Sequence, residues 1–156
     1  MQYQLIWVGE TRESYLKTGQ EIFIQRLRHY MRFKICVVKG EKVSKSRSDT
    51  QVMSLEGKRL LEKISPEKWV VVLDRTGMQL SSEKLAKKIN QWQNRAVREV
   101  VFIIGGPLGL DQAVLKRANF IWSFSELTLT HEMIRVLLLE QLYRAHTILK
   151  GEKYHK

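Results

Sequence analysis

Val100-Val101-Phe102-Ile103-Ile104 runs without a polar break into Gly105-Gly106-Pro107-Leu108-Gly109-Leu110, and Asp111 follows at once. Consecutive apolar residues with no alternation describe a strand covered on both faces, as in a mainly parallel sheet flanked by helices. Trp69-Val70-Val71-Val72-Leu73 repeats the pattern and also ends on a turn-prone segment, Asp74-Arg75-Thr76-Gly77. Both runs stop where the chain can bend sharply, and Asp111 is suited to cap the helix that comes next.

Outward from these two runs, apolar periodicity predicts strands at 3–8, 33–38, 69–73, 100–104 and 121–124. Helical spacing falls between and after them, at 14–30, 50–64, 81–96, 111–118 and 131–149. The alternation implies a single α/β domain over 1–156, and 156 residues are enough for one self-sufficient core. Leu110 is placed to staple onto Leu115 inside the helix that Asp111 opens. Cys36, between Ile35 and Val37, is expected as a buried strand residue. The last helix is apolar over much of its circumference: Ile134, Leu137, Leu138, Leu142, Ala145, Ile148 and Leu149 form one face, which Val136, Leu139 and Tyr143 widen. Such a helix is buried on more than one side, either deep in its own core or by a second subunit, and in the second case a charge at Leu139 would part the chains.

Charge bears on partners. With 27 Lys and Arg against 16 Asp and Glu the net charge is +11, and the pI is near 9.9. This favours approach to a polyanion, with nucleic acid or an anionic membrane surface as partner. No run approaches the roughly 18 apolar residues of a membrane span, and Met1-Gln2-Tyr3-Gln4 is unlike a signal peptide, so a cytoplasmic protein is expected. One cysteine builds neither a disulfide framework nor a zinc pair, and no metal is expected. Residues 39–49 carry Lys39, Lys42, Lys45 and Arg47 without apolar periodicity, and read equally as a solvated connection or an RNA contact.

Ligands of an open parallel sheet collect beyond the C-terminal ends of its strands. Three segments stand there: 73–77, 105–110 and 125–130. Glycines at 105 and 106 would let main chain approach a ligand with no Cβ in the way, although a plain turn would use them too. No GxGxxG, P-loop or GxSxG pattern is present, so dinucleotide, phosphate-loop and serine-nucleophile readings lose their support. His29 and His146 fall within helices and read as structural or surface residues; His131, at the start of the last helix, and His155, in a basic tail, are better placed for proton transfer.

Together, residues 73–86 (LDRTGMQLSSEKLA), 102–110 (FIIGGPLGL), 122–151 (WSFSELTLTHEMIRVLLLEQLYRAHTILKG) and the terminal Tyr154-His155 resemble the rRNA large-subunit methyltransferase H family of the SPOUT, or α/β-knot, class. The likeness spans the chain, is densest from Val70 onward, and departs from the family pattern at Leu108 and Glu132. The resemblance implies a C-terminal trefoil knot with cofactor loops over about 70–156, a homodimer, and S-adenosyl-L-methionine held by Leu73, Gly105, Gly106, Ser125, Glu126, Leu127, Thr128, Leu129 and Thr130. It further implies methylation of N3 of a pseudouridine in the helix-69 loop of 23S rRNA on the assembled ribosome. His155 is the expected proton acceptor, with Tyr154, Arg135 or Arg144 orienting the nucleobase or neutralising charge, and His131 is the second candidate. Two other readings stand beside it: an RNA-binding or ribosome-associated factor without catalysis, and a SPOUT methyltransferase acting on another RNA such as tRNA.

Overall fold

Apolar residues on successive positions of a strand point to opposite faces, so a run such as Val100–Ile104 must be covered twice. In the computed structural model, which describes residues 1–42 and 46–155 apart from the side chain of His155, it is. Five parallel strands, β1 (Gln2–Val8), β2 (Phe33–Val38), β3 (Trp69–Gln79), β4 (Glu99–Ile104) and β5 (Phe120–Ser123), form one sheet in the order β2-β1-β4-β3-β5. The helices between and after them are α1 (Ser14–Arg28), α2 (Asp49–Leu61), α3 (Ser82–Asn94), α4 (Gln112–Arg117) and α5 (His131–Leu149).

The two faces have separate cores. Tyr3, Leu5, Trp7, Val71, Val100, Phe102 and Ile104 pack with Leu27 of α1, Leu85 and Ile89 of α3, and Leu138, Leu139 and Leu142 of α5. Ile6, Val8, Val70, Val72, Val101 and Ile103 pack on the other side with Leu60 of α2 and Val114 of α4. Asp111 caps α4, its Oδ1 accepting from the Ala113 N–H at 2.7 Å, and Leu110 and Leu115 lie in the same cluster.

Three expectations are corrected. β3 does not stop at Leu73; after an irregularity it resumes pairing with β5 at Met78↔Trp122 and Gln79↔Ser123. Gly77 permits this, since a Cβ there would stand 2.6 Å from the Ile121 carbonyl carbon. Cys36 is only partly buried, because β2 is an edge strand and lacks a neighbour on one side. The breadth of α5 is absorbed largely within the chain: Leu138, Leu139, Leu142 and Ala145 have no exposure, and the helix packs against both α1 and α3. A charge at Leu139 would therefore strike the core and not a subunit boundary. Lys45 lies outside the described residues, while Arg47 of the same basic segment pairs with Glu41, which Arg59 of α2 also holds. No helix among the described residues is long and apolar enough to cross a membrane, and none of their His, Cys, Asp and Glu side chains group as a metal site.

Leu139→Ala should cost about 2–5 kcal/mol of unfolding free energy, the range for truncating a fully buried leucine. Urea titration checks the value, and a loss below about 0.5 kcal/mol would deny Leu139 its place in the core.

Candidate active site

β1, β3, β4 and β5 all point their C-terminal ends at one cleft of about 1140 Å³. Leu73 and Trp122 are buried in its lining, the 105–110 turn forms one wall, and residues 123–125 and 127–130 form another. The starts of α5 and α1 complete it, through His131, Glu132, Glu13 and Tyr15. Drug-sized ligands occupy roughly 300–1,000 Å³, so the space suffices for a nucleoside cofactor with part of a second substrate.

The glycine turn closes on itself. Gly106 and Gly109 face each other, the Gly109 N–H donates to the Gly106 carbonyl at 3.1 Å, and Gly109 adopts a φ of +94°. A Cβ on Gly105 would stand 2.6 Å from the Gly109 carbonyl oxygen, and one on Gly106 would stand 2.7 Å from Oε2 of Glu56. The turn itself thus requires Gly105, and the Glu56 side chain of α2 packs close behind Gly106. Glu56 itself is buried, accepts from the Glu41 N–H at 2.9 Å, and has its carboxyl pushed above the ordinary carboxylate range by burial.

The 125–130 loop spends its polar side chains on its own shape. Ser123 Oγ donates to the Ser125 carbonyl at 2.9 Å, Ser125 Oγ accepts from the Leu127 N–H at 3.0 Å, and Thr130 Oγ1 caps α5 by accepting from Met133 at 3.2 Å. Among the described residues, the main-chain donors of Glu126, Thr128 and Leu129 meet no protein acceptor. Free main-chain donors beside an apolar floor suit a ligand with a heterocycle and polar edges. Leu73, Gly105, Gly106, Ser125, Leu127, Thr128, Leu129 and Thr130 all line the cleft; Glu126 is exposed and does not.

The five residues expected to handle substrate and proton separate in space. His131 lines the cleft half-buried, and burial, followed by the nearby Arg135 charge, lowers its pKa and leaves it neutral at pH 7. Arg135 does not reach the cleft lining: fully buried, it donates to the Val8 carbonyl at 2.6 Å and to Thr11 Oγ1 at 2.7 Å. Burial lowers its pKa to about 10, so it stays charged and holds the β1–α1 connection in place. Glu132 reinforces that hold, accepting from the N–H groups of Arg12 at 3.0 Å and Glu13 at 3.2 Å. Arg144 and Tyr154 stand together elsewhere. Arg144 Nε donates to Glu140 at 2.9 Å, Tyr154 donates its O–H to the same oxygen at 3.2 Å, and the guanidinium lies 4.7 Å from the Tyr154 ring centre. Thirteen positions of α5 divide His131 from Arg144, about 20 Å at 1.5 Å per residue. The side chain of His155 lies outside the described residues. His146 is structural, as expected: it is buried against Tyr3, whose O–H lies 3.1 Å from Nε2, and burial lowers its pKa to about 4.

Sequence reading missed the contribution of α1. Glu13, Tyr15 and Leu16 line the cleft because β1 is an inner strand whose C-terminal end opens on the same side as β3 and β4. The signal was present in the turn-forming Gly9 directly after β1, at a φ of +75°.

The Glu132 carboxyl titrates below its ordinary value although burial opposes this, because the Glu13 and Arg12 N–H groups and the Arg135 charge favour the anion. A carboxyl depressed in the folded state contributes stability above its unfolded pKa and loses it as pH falls through the folded value. Glu132→Gln should therefore cost about 1–3 kcal/mol at pH 7 and converge with wild type in acid. Urea midpoints across a pH series check this, and parallel curves down to acid pH would remove the charge as the cause.

Comparison with known proteins follows the same lines. A family model described as "Predicted SPOUT methyltransferase" matches residues 1–155. Relatives from Desulfotalea psychrophila, Halothermothrix orenii and Limosilactobacillus fermentum, each named ribosomal RNA large subunit methyltransferase H, are 42% identical over 100% of both chains. A crystal structure of a probable methyltransferase from Bordetella pertussis Tohama I shares the fold, with a TM-score of 0.55 at 11% identity over 92% of this chain and 95% of that one. With a family model over nearly every residue, full-length identity well beyond chance and a parallel sheet opening on a loop-lined cleft, the chain belongs to the ribosomal RNA large subunit methyltransferase H family of SPOUT methyltransferases.

Proposed function

We propose that the protein transfers a methyl group from S-adenosyl-L-methionine to N3 of a pseudouridine in the helix-69 loop of 23S rRNA, on the assembled ribosome, as a cytoplasmic homodimer. The observation that carries the reading is the cleft itself: main-chain donors of residues 128 and 129 without a protein acceptor in a cleft that the apolar Leu73 and Trp122 also line, in a chain whose relatives are named for ribosomal RNA methylation. Leu73, the 105–106 turn and the 125–130 loop would hold the cofactor, and the C-terminal threading expected of the family would bring those loops together. A net charge of +11 suits a polyanionic substrate.

Bound there, the cofactor supplies a methyl group on a sulfonium. The chain supplies alignment and a destination for the N3 proton, because displacement at carbon is governed by the approach of nucleophile to methyl group. His155 is the first candidate acceptor, with Tyr154 and Arg144 orienting the base; His131, neutral in the cleft, is the second. Arg135 acts through the β1–α1 connection as a positioning residue.

Dimerisation follows from distance. Tyr154 is held on α5 at Glu140, nine positions beyond the cleft residue His131 and about 14 Å along the helix at 1.5 Å per residue, and a tail anchored there would serve catalysis at the cleft of a second copy. The surface for that copy would be formed by apolar residues of α1 and α5 that the chain leaves uncovered or half-covered: the exposed Ile22 and the half-buried Phe23, Met133, Val136 and Leu137.

Unmodified ribosomes incubated with labelled S-adenosyl-L-methionine should acquire label at one pseudouridine of the helix-69 loop, and label in tRNA alone would overturn the assignment. Deleting residues 154–156 should preserve folding and cofactor binding while abolishing transfer, and His155→Ala should slow single-turnover transfer by about 10² to 10⁴. A truncated protein with the wild-type single-turnover rate would refute the role of the tail. Wild type should sediment as a dimer and Leu137→Glu as a folded monomer, since a charge on a half-covered position spares the core but not an apolar interface; a monomeric wild type at micromolar concentration contradicts the arrangement.

A further inference from the structure

Exposed large apolar side chains are ordinary singly, and seven occur among the described residues. Two of them, Tyr15 at 63% and Leu127 at 74% exposure, line the cleft, and of the seven Tyr15 alone is aromatic. The cleft is graded from floor to mouth. Trp122 and Leu73 are 2% and 8% exposed, so a cofactor seated on them leaves the Tyr15 ring free for whatever enters afterwards.

The ring is carried on a segment with unusually firm support. Directly before α1, the Arg12 and Glu13 N–H groups are held by Glu132, and Thr11 Oγ1 receives both Arg135 and Gln20, the latter at 2.8 Å. Leu16, the next residue, is 5% exposed. Tyr15 is thus fixed relative to the cleft residue His131, which adjoins Glu132 on α5. An aromatic side chain has only two rotatable bonds to order when a flat ligand settles on it, and here its main chain is already held.

The charges nearby indicate which flat ligand. Arg12 is exposed and close enough that its charge lowers the His131 pKa, and the exposed Arg75 lines the same cleft; of the acidic lining residues, Glu132 is buried and bonded to the Arg12 and Glu13 N–H groups, Asp74 accepts from Thr76, and Glu13 is exposed. An aromatic face flanked by guanidinium groups suits a nucleobase splayed from single-stranded RNA, with its phosphate beside it.

Resting on the reading of the protein as an RNA methyltransferase, we propose that Tyr15 is the platform on which a nucleobase of the substrate loop stacks at the cleft mouth, with Arg12 taking an adjacent phosphate. Tyr15→Ala should raise the KM for unmodified ribosomes by roughly 5- to 150-fold, the equivalent of losing one base–aromatic stack. Tyr15→Phe and Tyr15→Trp, which keep the aromatic face, should stay within about 3-fold of wild type, because every base can stack on either ring. Calorimetric affinity for S-adenosyl-L-methionine and the sedimentation of the dimer should not move in any of the three. Arg12→Gln should flatten the dependence of log KM on log salt by about one unit.

An unaltered KM in Tyr15→Ala overturns the proposal. So does a loss that appears as weakened cofactor affinity, which would make the ring a lid on the cofactor, or as chain separation, which would place it in the subunit interface. An unchanged salt slope in Arg12→Gln overturns the phosphate contact. Wild-type protein that labels no ribosomal RNA would overturn the functional reading and this proposal with it, whereas wild-type activity with an unmoved Tyr15→Ala overturns the proposal alone.

Discussion

A guanidinium with no exposure to water ties the first loop of the chain to its last helix. Arg135 reaches from α5 to the Val8 carbonyl and Thr11, 127 and 124 residues away in sequence, and lies 5.4 Å from the centre of the Trp7 ring. A buried charge is costly unless its hydrogen bonds are met, so the β1–α1 connection has few other positions open to it once α5 is packed. Glu132, one residue after His131, adds a carboxylate to the same clamp by holding the Arg12 and Glu13 N–H groups. The cleft owes its α1 wall to this clamp, and His131 shares its helix turn with the residues that form it.

The loops that face the cleft are rigid for internal reasons. Gly105 and Gly106 have neighbours where a Cβ would be, a carbonyl oxygen in one case and the Glu56 carboxyl in the other. The 125–130 loop is shaped by Ser123, Ser125 and Thr130, each bonded to its own main chain. With Ser123, Ser125 and Thr130 engaged in this way, main-chain groups are among those the loop presents to a ligand, and such groups need no side-chain ordering when binding occurs. Glu56 connects this surface to the basic segment after β2 through the Glu41 N–H, and Arg59 pins Glu41 and the Lys39 carbonyl to α2. The same helix that supports the glycine turn therefore anchors the described part of the basic loop.

Distance along α5 divides the chemistry. Its first turn lines the cleft, while Glu140, Tyr143, Arg144 and Tyr154 form a charged aromatic cluster two to three turns on. The chain after α5 turns back along the helix as far as Glu140, where the Tyr154 O–H donates to its carboxylate. The same helix also carries half-covered apolar positions at Met133, Val136 and Leu137.

The alternation of strands and helices, the two-sided burial of the sheet, the Asp111 cap and the three segments at the strand ends were all legible in the order of the residues. Each of these depends on residues close together in the chain, through periodicity of 2 or 3.6 and through local hydrogen bonding. Family resemblance, carried by residues 73–86, 102–110 and 122–151, supplied the chemistry that periodicity could not. Only the tertiary structure decided that β3 runs on to Gln79, because the allowance at Gly77 exists only where β5 presses against it. It likewise moved Leu139 from a possible interface to the core, withdrew Arg135 from the list of groups that reach substrate, and brought Tyr15 to the cleft mouth. Those outcomes turn on contacts between residues far apart in the chain, which no local pattern encodes: an amphipathic face specifies that it will be buried, and the packing of the other elements specifies against what.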